Sequence, residues 1–209
     1  MRLILLGAPG VGKGTQARAI ADRYRIPHIA TGDILRLAAD SCSDVGLQAK
    51  EYMVRGDLVP DALIIGCVRE RLDKADAATG FLLDGFPRTV PQAEALDSLL
   101  LEIGQELDAV IAIDVEEETI VRRLDGRRTC GDCGAVTSDA ANSSGRCERC
   151  SGTLLVREDD KPEAIRQRLA VYKEKRAPLF DYYSDRGLLR KVDGNGGVEE
   201  IERRIEAVL

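Results

Sequence analysis

Nine residues near the start of the chain, Gly7-Ala8-Pro9-Gly10-Val11-Gly12-Lys13-Gly14-Thr15, constrain the fold more than any other stretch. The apolar run Arg2-Leu3-Ile4-Leu5-Leu6 leads straight into them, and Ala17, Ile20, Ala21 and Tyr24 follow at i, i+3, i+4 and i+7, the spacing of one helix face. The order is therefore strand, glycine loop, helix. Glycines let the backbone curl tightly and turn several N–H groups onto one anion, and the positive end of the following helix points at the same spot. Lys13 adds a mobile cation for the outer phosphates. A glycine-rich turn between strand and helix can also be a plain connection; the lysine, the threonine and both flanking elements favour phosphate binding. Gly14 follows the lysine and the hydroxyl arrives at Thr15, so no hydroxyl beside Lys13 is expected to take a magnesium ion directly.

A chain of 209 residues can bury about 70% of its unfolded surface and needs no covalent staples. Its hydrophobic fraction of 44% and charged fraction of 32% fit a soluble globular body, with aliphatic side chains filling the core because aromatics are only 4%. A net charge of −6 argues against nucleic acid or anionic membrane as a partner, so any polyanion must meet a local cluster of arginines. No segment approaches the length of a membrane span, and Met1-Arg2 opens into a strand rather than a signal peptide. The expected location is the cytoplasm, and the expected state a monomer.

Cys42 and Cys67 stand alone, whereas Cys130-x2-Cys133 and Cys147-x2-Cys150 form two knuckles thirteen residues apart. That spacing presents four thiolates to one zinc ion. Two disulfides are the alternative, which a reducing compartment disfavours.

Further along, Pro27-His28-Ile29-Ala30 reads as a second strand, with His28 in a structural role, and Thr31-Gly32-Asp33 as a turn capping the next helix. Residues 37–59 are helical in pattern, broken at Ser41-Cys42-Ser43 and at Gly46. Asp61 is a candidate cap for the helix carrying Leu63, Ile64, Val68 and Leu72, although Ile64-Ile65 also suits a strand. Phe81-Leu82-Leu83-Asp84 is a buried strand ending in a carboxylate, where hard cations and their waters are held beside a nucleotide loop; Asp84 can equally cap a turn. Thr89, Pro91 and Gln92 have the form of a capping box opening a helix, and Gln92 can be no more than that. The all-apolar Ala109-Val110-Ile111-Ala112-Ile113 is a strand covered on both sides. A helix over 119–124 ends at Gly126, a long helix from Asp160-Lys161-Pro162-Glu163 breaks or kinks near Pro178, Leu188 to Val192 form the last strand, and Val198, Ile201, Ile205 and Val208 mark the last helix. Residues 140–145 show no apolar spacing, so a metal would supply the cohesion of this insertion. Strand and helix alternate throughout. The fold class is α/β, a five-stranded parallel sheet with helices on both faces and its ligand crevice at the strand carboxyl ends.

Together Gly7 to Thr15, Thr31-Gly32-Asp33, Phe81 to Arg88, Gly126-Arg127-Arg128 and Asp159-Asp160 with Arg168 resemble the adenylate kinase family in its bacterial form with a long zinc-binding lid. The resemblance spans nearly the whole chain, and Asp84-Gly85-Phe86-Pro87-Arg88 is specific to nucleoside monophosphate kinases. It implies a P-loop core over 1–29, 60–125 and 164–209, a helical monophosphate-binding arm over 30–59 and a zinc-knuckle lid over 126–163. The implied reaction is ATP + AMP to two ADP with Mg2+. Gly10, Val11, Gly12, Lys13, Gly14 and Thr15, with Arg123, Arg127 and Gly196, would hold ATP. Thr31, Gly32, Arg36, Asp57, Leu58, Val59, Gly85, Phe86, Arg88 and Gln92 would hold AMP, with Arg157 and Arg168 between the nucleotides. Where the family carries Tyr-His after the first knuckle, this chain has Thr137-Ser138, so contacts of the lid with adenine fall to Val136 and Thr137 and lean on backbone and Arg123. Zinc would sit on Cys130, Cys133, Cys147 and Cys150.

Phosphoryl transfer asks for two phosphates in line, cations around the moving group, and exclusion of water. Lys13, Arg88, Arg123, Arg157 and Arg168, with Asp84 for the metal, can meet that demand. Thr31 and Gln92 argue for adenine as the acceptor base, the alternatives being a UMP or CMP kinase or one using GTP as donor. A zinc ribbon reading nucleic acid through Arg127, Arg128, Arg146 and Arg149 is opposed by Asp132, Asp139 and Glu148.

Overall fold

The computed structural model describes residues 1–137 and 145–209; Ser138, Asp139 and the spacing of residues 140–144 lie outside them. In chain order β1 (Arg2–Leu6) leads through the glycine loop to α1 (Lys13–Tyr24), and β2 (His28–Ala30) runs directly into α2 (Thr31–Asp40) and α3 (Asp44–Arg55). Then come α4 (Asp61–Leu72), β3 (Phe81–Asp84), α5 (Val90–Glu102), β4 (Ala109–Asp114) and α6 (Glu117–Asp125). Three short strands, β5 (Arg128–Cys130), β6 (Val136–Thr137) and β7 (Leu154–Leu155), surround the cysteines; α7 (Pro162–Ser184), β8 (Leu189–Asp193) and α8 (Val198–Glu206) close the chain.

The main sheet has the order β2-β3-β1-β4-β8, every pair parallel. Successive side chains of a strand face opposite sides. Leu3 and Leu5 therefore join Leu82 and Ile111 under α1 and α8, while Ile4 and Leu6 join Leu83 and Val110 under α4 and α5. Two apolar layers need continuous rather than alternating apolar strands, which is why Leu3 to Leu6 and Phe81 to Leu83 carry no polar residue. The chain turns from one side of β1 to the other between β3 and β4, so a crevice opens at the carboxyl end of β1. The glycine loop is there.

Several local expectations are corrected. Thr31 is the first residue of α2 rather than its cap: Ala30 holds that position straight from the strand, and no side chain caps the helix. Pro60 likewise precedes α4, so Asp61 is its first helical residue, and Ile64-Ile65 is helical because β-branched residues yield to a buried helix face. Gly46 lies inside α3 because a Cβ there would stand 2.0 Å from the Ala38 carbonyl carbon. Only glycine lets α3 cross that close to α2. Pro178 sits inside α7 without breaking it, since Pro removes one N–H donor but the surrounding turns stay packed through Leu179 and Phe180. Thr89 caps α5 as expected, accepting from the Gln92 N–H at 3.3 Å.

Candidate active site

A cleft of about 440 Å³ runs along the carboxyl ends of the strands. Its floor is the glycine loop. Gly12 adopts φ 102° as the residue before α1, a left-handed value that a side chain would resist, and Gly10 at φ 82° shares that region, so the loop curls tightly into the start of α1. Lys13 opens α1 and folds back to donate to Gly7 O at 2.8 Å and Ala8 O at 2.9 Å. Burial pulls its ammonium down to about 8; Asp84 opposes this, and Arg88, Arg168 and Arg127 add to it.

Asp84 ends β3, in register with Leu5 of β1 and Ala30 of β2. His28 Nε2 stands 3.3 Å from Asp84 Oδ2, and a Cβ placed on Gly14 would lie 3.6 Å from the same oxygen. Burial pushes this carboxyl up, but the His28 hydrogen bond and the Lys13 charge outweigh it and hold it below the usual carboxylate range. An ionised carboxylate facing the phosphate loop is an oxygen donor suited to magnesium. The donor set fits that ion.

Arg36, Arg88, Arg123, Arg127, Arg157 and Arg168 all line this cleft. Arg168 Nη1 donates to Asp159 O at 2.8 Å and to Asp160 Oδ1 at 3.2 Å, Arg127 pairs with Asp160, and Arg36 pairs with Asp33 and lies 3.8 Å from Asp159. Arg157 Nε donates to Thr129 Oγ1 at 2.7 Å; burial, then Arg36 and Arg127, lower its guanidinium to about 10, which leaves it charged at neutral pH. Arg123 Nη1 reaches Val11 O at 3.0 Å, tying α6 to the glycine loop.

Gly10, Val11, Gly14, Thr15, Thr31, Gly32, Asp57, Leu58, Val59, Gly85, Gln92, Val136 and Gly196 also line the cleft. Thr31 is buried and donates to Asp84 O at 3.3 Å. Two expected residues do not. Phe86 is 1% exposed and packs in the core layer with Leu96 and Leu99, because the turn after Asp84 sends its ring inward; Thr137 pairs with Arg128 across β6 and β5 and is not in the wall.

Sequence reasoning missed others. His28, read as structural, faces Asp84 from the cleft wall; a histidine two residues before a strand end beside an acidic strand end was the available signal. Asp159 is buried among the arginines. Gln16 is 2% exposed and donates to Val198 O at 3.0 Å, joining α1 to the wall at Gly196.

The cysteine expectation has a direct geometric counterpart. All four Sγ atoms lie within 4.8 Å of one another, with Cys130 to Cys150 at 3.5 Å and Cys133 to Cys147 at 3.6 Å. A tetrahedral zinc ion with bonds of about 2.3 Å sets its sulfurs about 3.8 Å apart, whereas a disulfide needs about 2.05 Å. The two knuckles repeat one turn, Gly134 N to Cys130 O at 3.1 Å and Ser151 N to Cys147 O at 2.7 Å. This donor set fits zinc.

A family model described as adenylate kinase matches residues 5–188. Among curated proteins, the chain is 52% identical to an adenylate kinase of Citrifermentans bemidjiense, with 100% of this chain and 99% of that protein covered. It is 49% identical to adenylate kinases of Thermodesulfovibrio yellowstonii and Archaeoglobus fulgidus, each over 100% of this chain and over 99% and 98% of theirs.

Proposed function

This chain belongs to the adenylate kinase family, and from that premise we propose how its own residues divide the transfer of a phosphoryl group from ATP to AMP. The observation that carries the reading is convergence. Lys13 and five arginines from α2, the turn after β3, α6, the segment before Asp159 and α7 meet one cleft that also holds Asp84.

ATP lies with its phosphates on the loop from Gly10 to Thr15 and its base between Arg123, Gly196 and the backbone near Val136. AMP lies against Thr31, Gly32, Arg36, the backbone of Asp57 to Val59, Gly85, Arg88 and Gln92. An oxygen of the AMP phosphate forms a bond to the γ-phosphorus as the bond from that phosphorus to the β-bridging oxygen breaks; the electron pair leaves with ADP, and the other product is also ADP. Charge spreads over the moving group, so preorganised cations on every side favour that state over the ground state. Lys13, Arg88, Arg123, Arg157 and Arg168 are placed for this. Asp84 would help hold magnesium, which would supply charge neutralisation on the donor phosphates when bound.

The core comprises 1–29, 60–125 and 164–209, the arm 30–59 and the lid 126–163. Closing the arm and lid excludes water, which would otherwise hydrolyse ATP. Zinc on Cys130, Cys133, Cys147 and Cys150 holds the lid together, since a two-residue strand such as β6 cannot do so alone. We take the enzyme to be a monomer, and four thiols clustered for a metal rather than joined in disulfides fit a reducing cytoplasm.

Purified protein mixed with ATP, AMP and Mg2+ should form ADP, with AMP preferred over GMP, CMP and UMP. ATP hydrolysis that does not depend on AMP would overturn the reading. Light scattering and cell fractionation check the monomer and its compartment.

A further inference from the structure

Gln92 has a carboxamide that looks symmetrical to any crude inspection, but its two neighbours are not alike. The Arg88 main-chain N–H donates to Gln92 Oε1 at 2.8 Å, and Gln92 Nε2 donates to Asp61 Oδ1 at 2.7 Å. The residue is 2% exposed and stands in the cleft wall, while Asp61 is behind it on the first turn of α4.

A main-chain N–H can only donate, and a carboxylate can only accept. Turning the amide over would set NH2 against N–H on one side and oxygen against carboxylate on the other. Both hydrogen bonds would be lost inside a buried wall, where an unmet polar group is costly. The amide is therefore held one way round. Each of its atoms has a single capacity left, one lone pair on Oε1 and one hydrogen on Nε2. That remainder fits a base edge with an amino donor beside a ring acceptor, as in adenine N6 and N1. Hypoxanthine and guanine present the reverse, an oxo acceptor beside a ring N–H.

We propose that Asp61 is a positioning residue that determines specificity: by fixing the Gln92 amide, it selects acceptor bases with the adenine order of donor and acceptor and rejects 6-oxopurine monophosphates. This rests on the reading that Gln92 faces the AMP base. Asp61 itself touches no nucleotide in this scheme and acts only through Gln92.

AMP and IMP differ at that edge alone, so they are the probes. In Asp61→Asn the new amide can meet either orientation of Gln92, leaving only the Arg88 N–H to oppose reversal. The ratio of kcat/KM for AMP to that for IMP should fall about tenfold, the worth of one buried hydrogen bond, while KM for ATP stays at the wild-type value. A merely structural role for Asp61 would lower both efficiencies by the same factor, and that result, or an unchanged ratio, overturns the proposal. Gln92→Leu separates the two layers. If it abolishes the AMP preference while Asp61→Asn keeps it, the lock is wrong and the base contact stands; if Gln92→Leu leaves the preference intact, the base contact is wrong and the lock falls with it. Calorimetry on the folded wild type gives an independent reading, with IMP expected at least tenfold weaker than AMP; equal affinities overturn the proposal whatever the variants do.

Discussion

Arg168 Nη1 lies 2.9 Å from Asp159 Oδ2, so a carboxylate stands where several guanidinium groups would otherwise face one another. Burial pushes the Asp159 carboxyl up, but Arg168 and then Arg36 hold it below the usual carboxylate range. A depressed carboxyl contributes stability above its unfolded pKa and loses it as the pH falls through the folded one, so this contribution fades only in acid. Asp159→Asn should destabilise the empty enzyme by about 2 kcal/mol, because Arg168 keeps Asp160 and Arg36 keeps Asp33 but the carboxylate charge they share at Asp159 is lost. Nucleotide phosphates can replace the missing anion. Urea denaturation should therefore show a smaller loss with a bisubstrate analogue present than without it; an equal loss in both conditions would mean that Asp159 does not stand in for phosphate.

The lowered pKa of Lys13 makes a prediction with a defined sign. Its folded value of about 8 lies below the 10.5 of a free lysine side chain. In the empty enzyme the group therefore disfavours folding below pH 8, and that penalty lifts as the pH rises from 8 toward 10.5. Bound triphosphate favours the charged form and raises the pKa again. kcat/KM for ATP should then fall as the pH climbs past about 8, and calorimetry in two buffers at pH 8.5 should show proton uptake on ATP binding. A flat profile up to pH 10 would rule this out. Lys13→Met should lower kcat by roughly a hundredfold to a thousandfold.

The strand, loop and first helix were readable because period and residue type agree there: Leu3 to Leu6 are apolar throughout and Ala17, Ile20 and Ala21 repeat at helical spacing. Side-chain direction was not. Phe86 lies inside the most specific motif of the chain yet points into the core, while His28, in a strand three residues long, points at Asp84. Such outcomes depend on which strand lies beside which, and β2 meets β3 only across more than fifty intervening residues. The capping threonine at Thr89 was legible because its partner is three residues away. Thr31 has the same local signature, but the strand before it runs straight into the helix. The Asp159 network needed α2, α7 and the residues before α7 brought together, which no local pattern encodes.

For the four thiols, metal analysis should give one zinc per chain. The three-stranded sheet around them contains strands of three, two and two residues, too short to hold without the ion. Chelation should produce a transition below that of the core, and Cys130→Ser should do the same at a lower metal content. No zinc with four titratable thiols in the purified protein would contradict the assignment, as would a single transition unaffected by chelator.

Two glycines in helices should respond in opposite ways to the same substitution. At Gly66 on α4 an added Cβ meets nothing within 4 Å, so Gly66→Ala only removes unfolded-chain freedom and should stabilise by about 0.5–1 kcal/mol. At Gly46 the added atom would meet Ala38 C at 2.0 Å, its O at 2.2 Å and Ala39 N at 2.3 Å. These are backbone atoms, which cannot rotate aside as a side chain would. Relief requires α3 to move off α2, exposing Ala49, which is 0% exposed in the packed pair. Gly46→Ala should therefore cost about 3 kcal/mol. Because α2 carries Arg36 and α3 leads to Asp57, Leu58 and Val59, while the glycine loop lies on neither helix, KM for AMP should rise several-fold with KM for ATP unchanged. Equal effects of the two substitutions on melting temperature, or parallel changes in both KM values, would show that the close crossing at Gly46 does not shape the AMP side of the cleft.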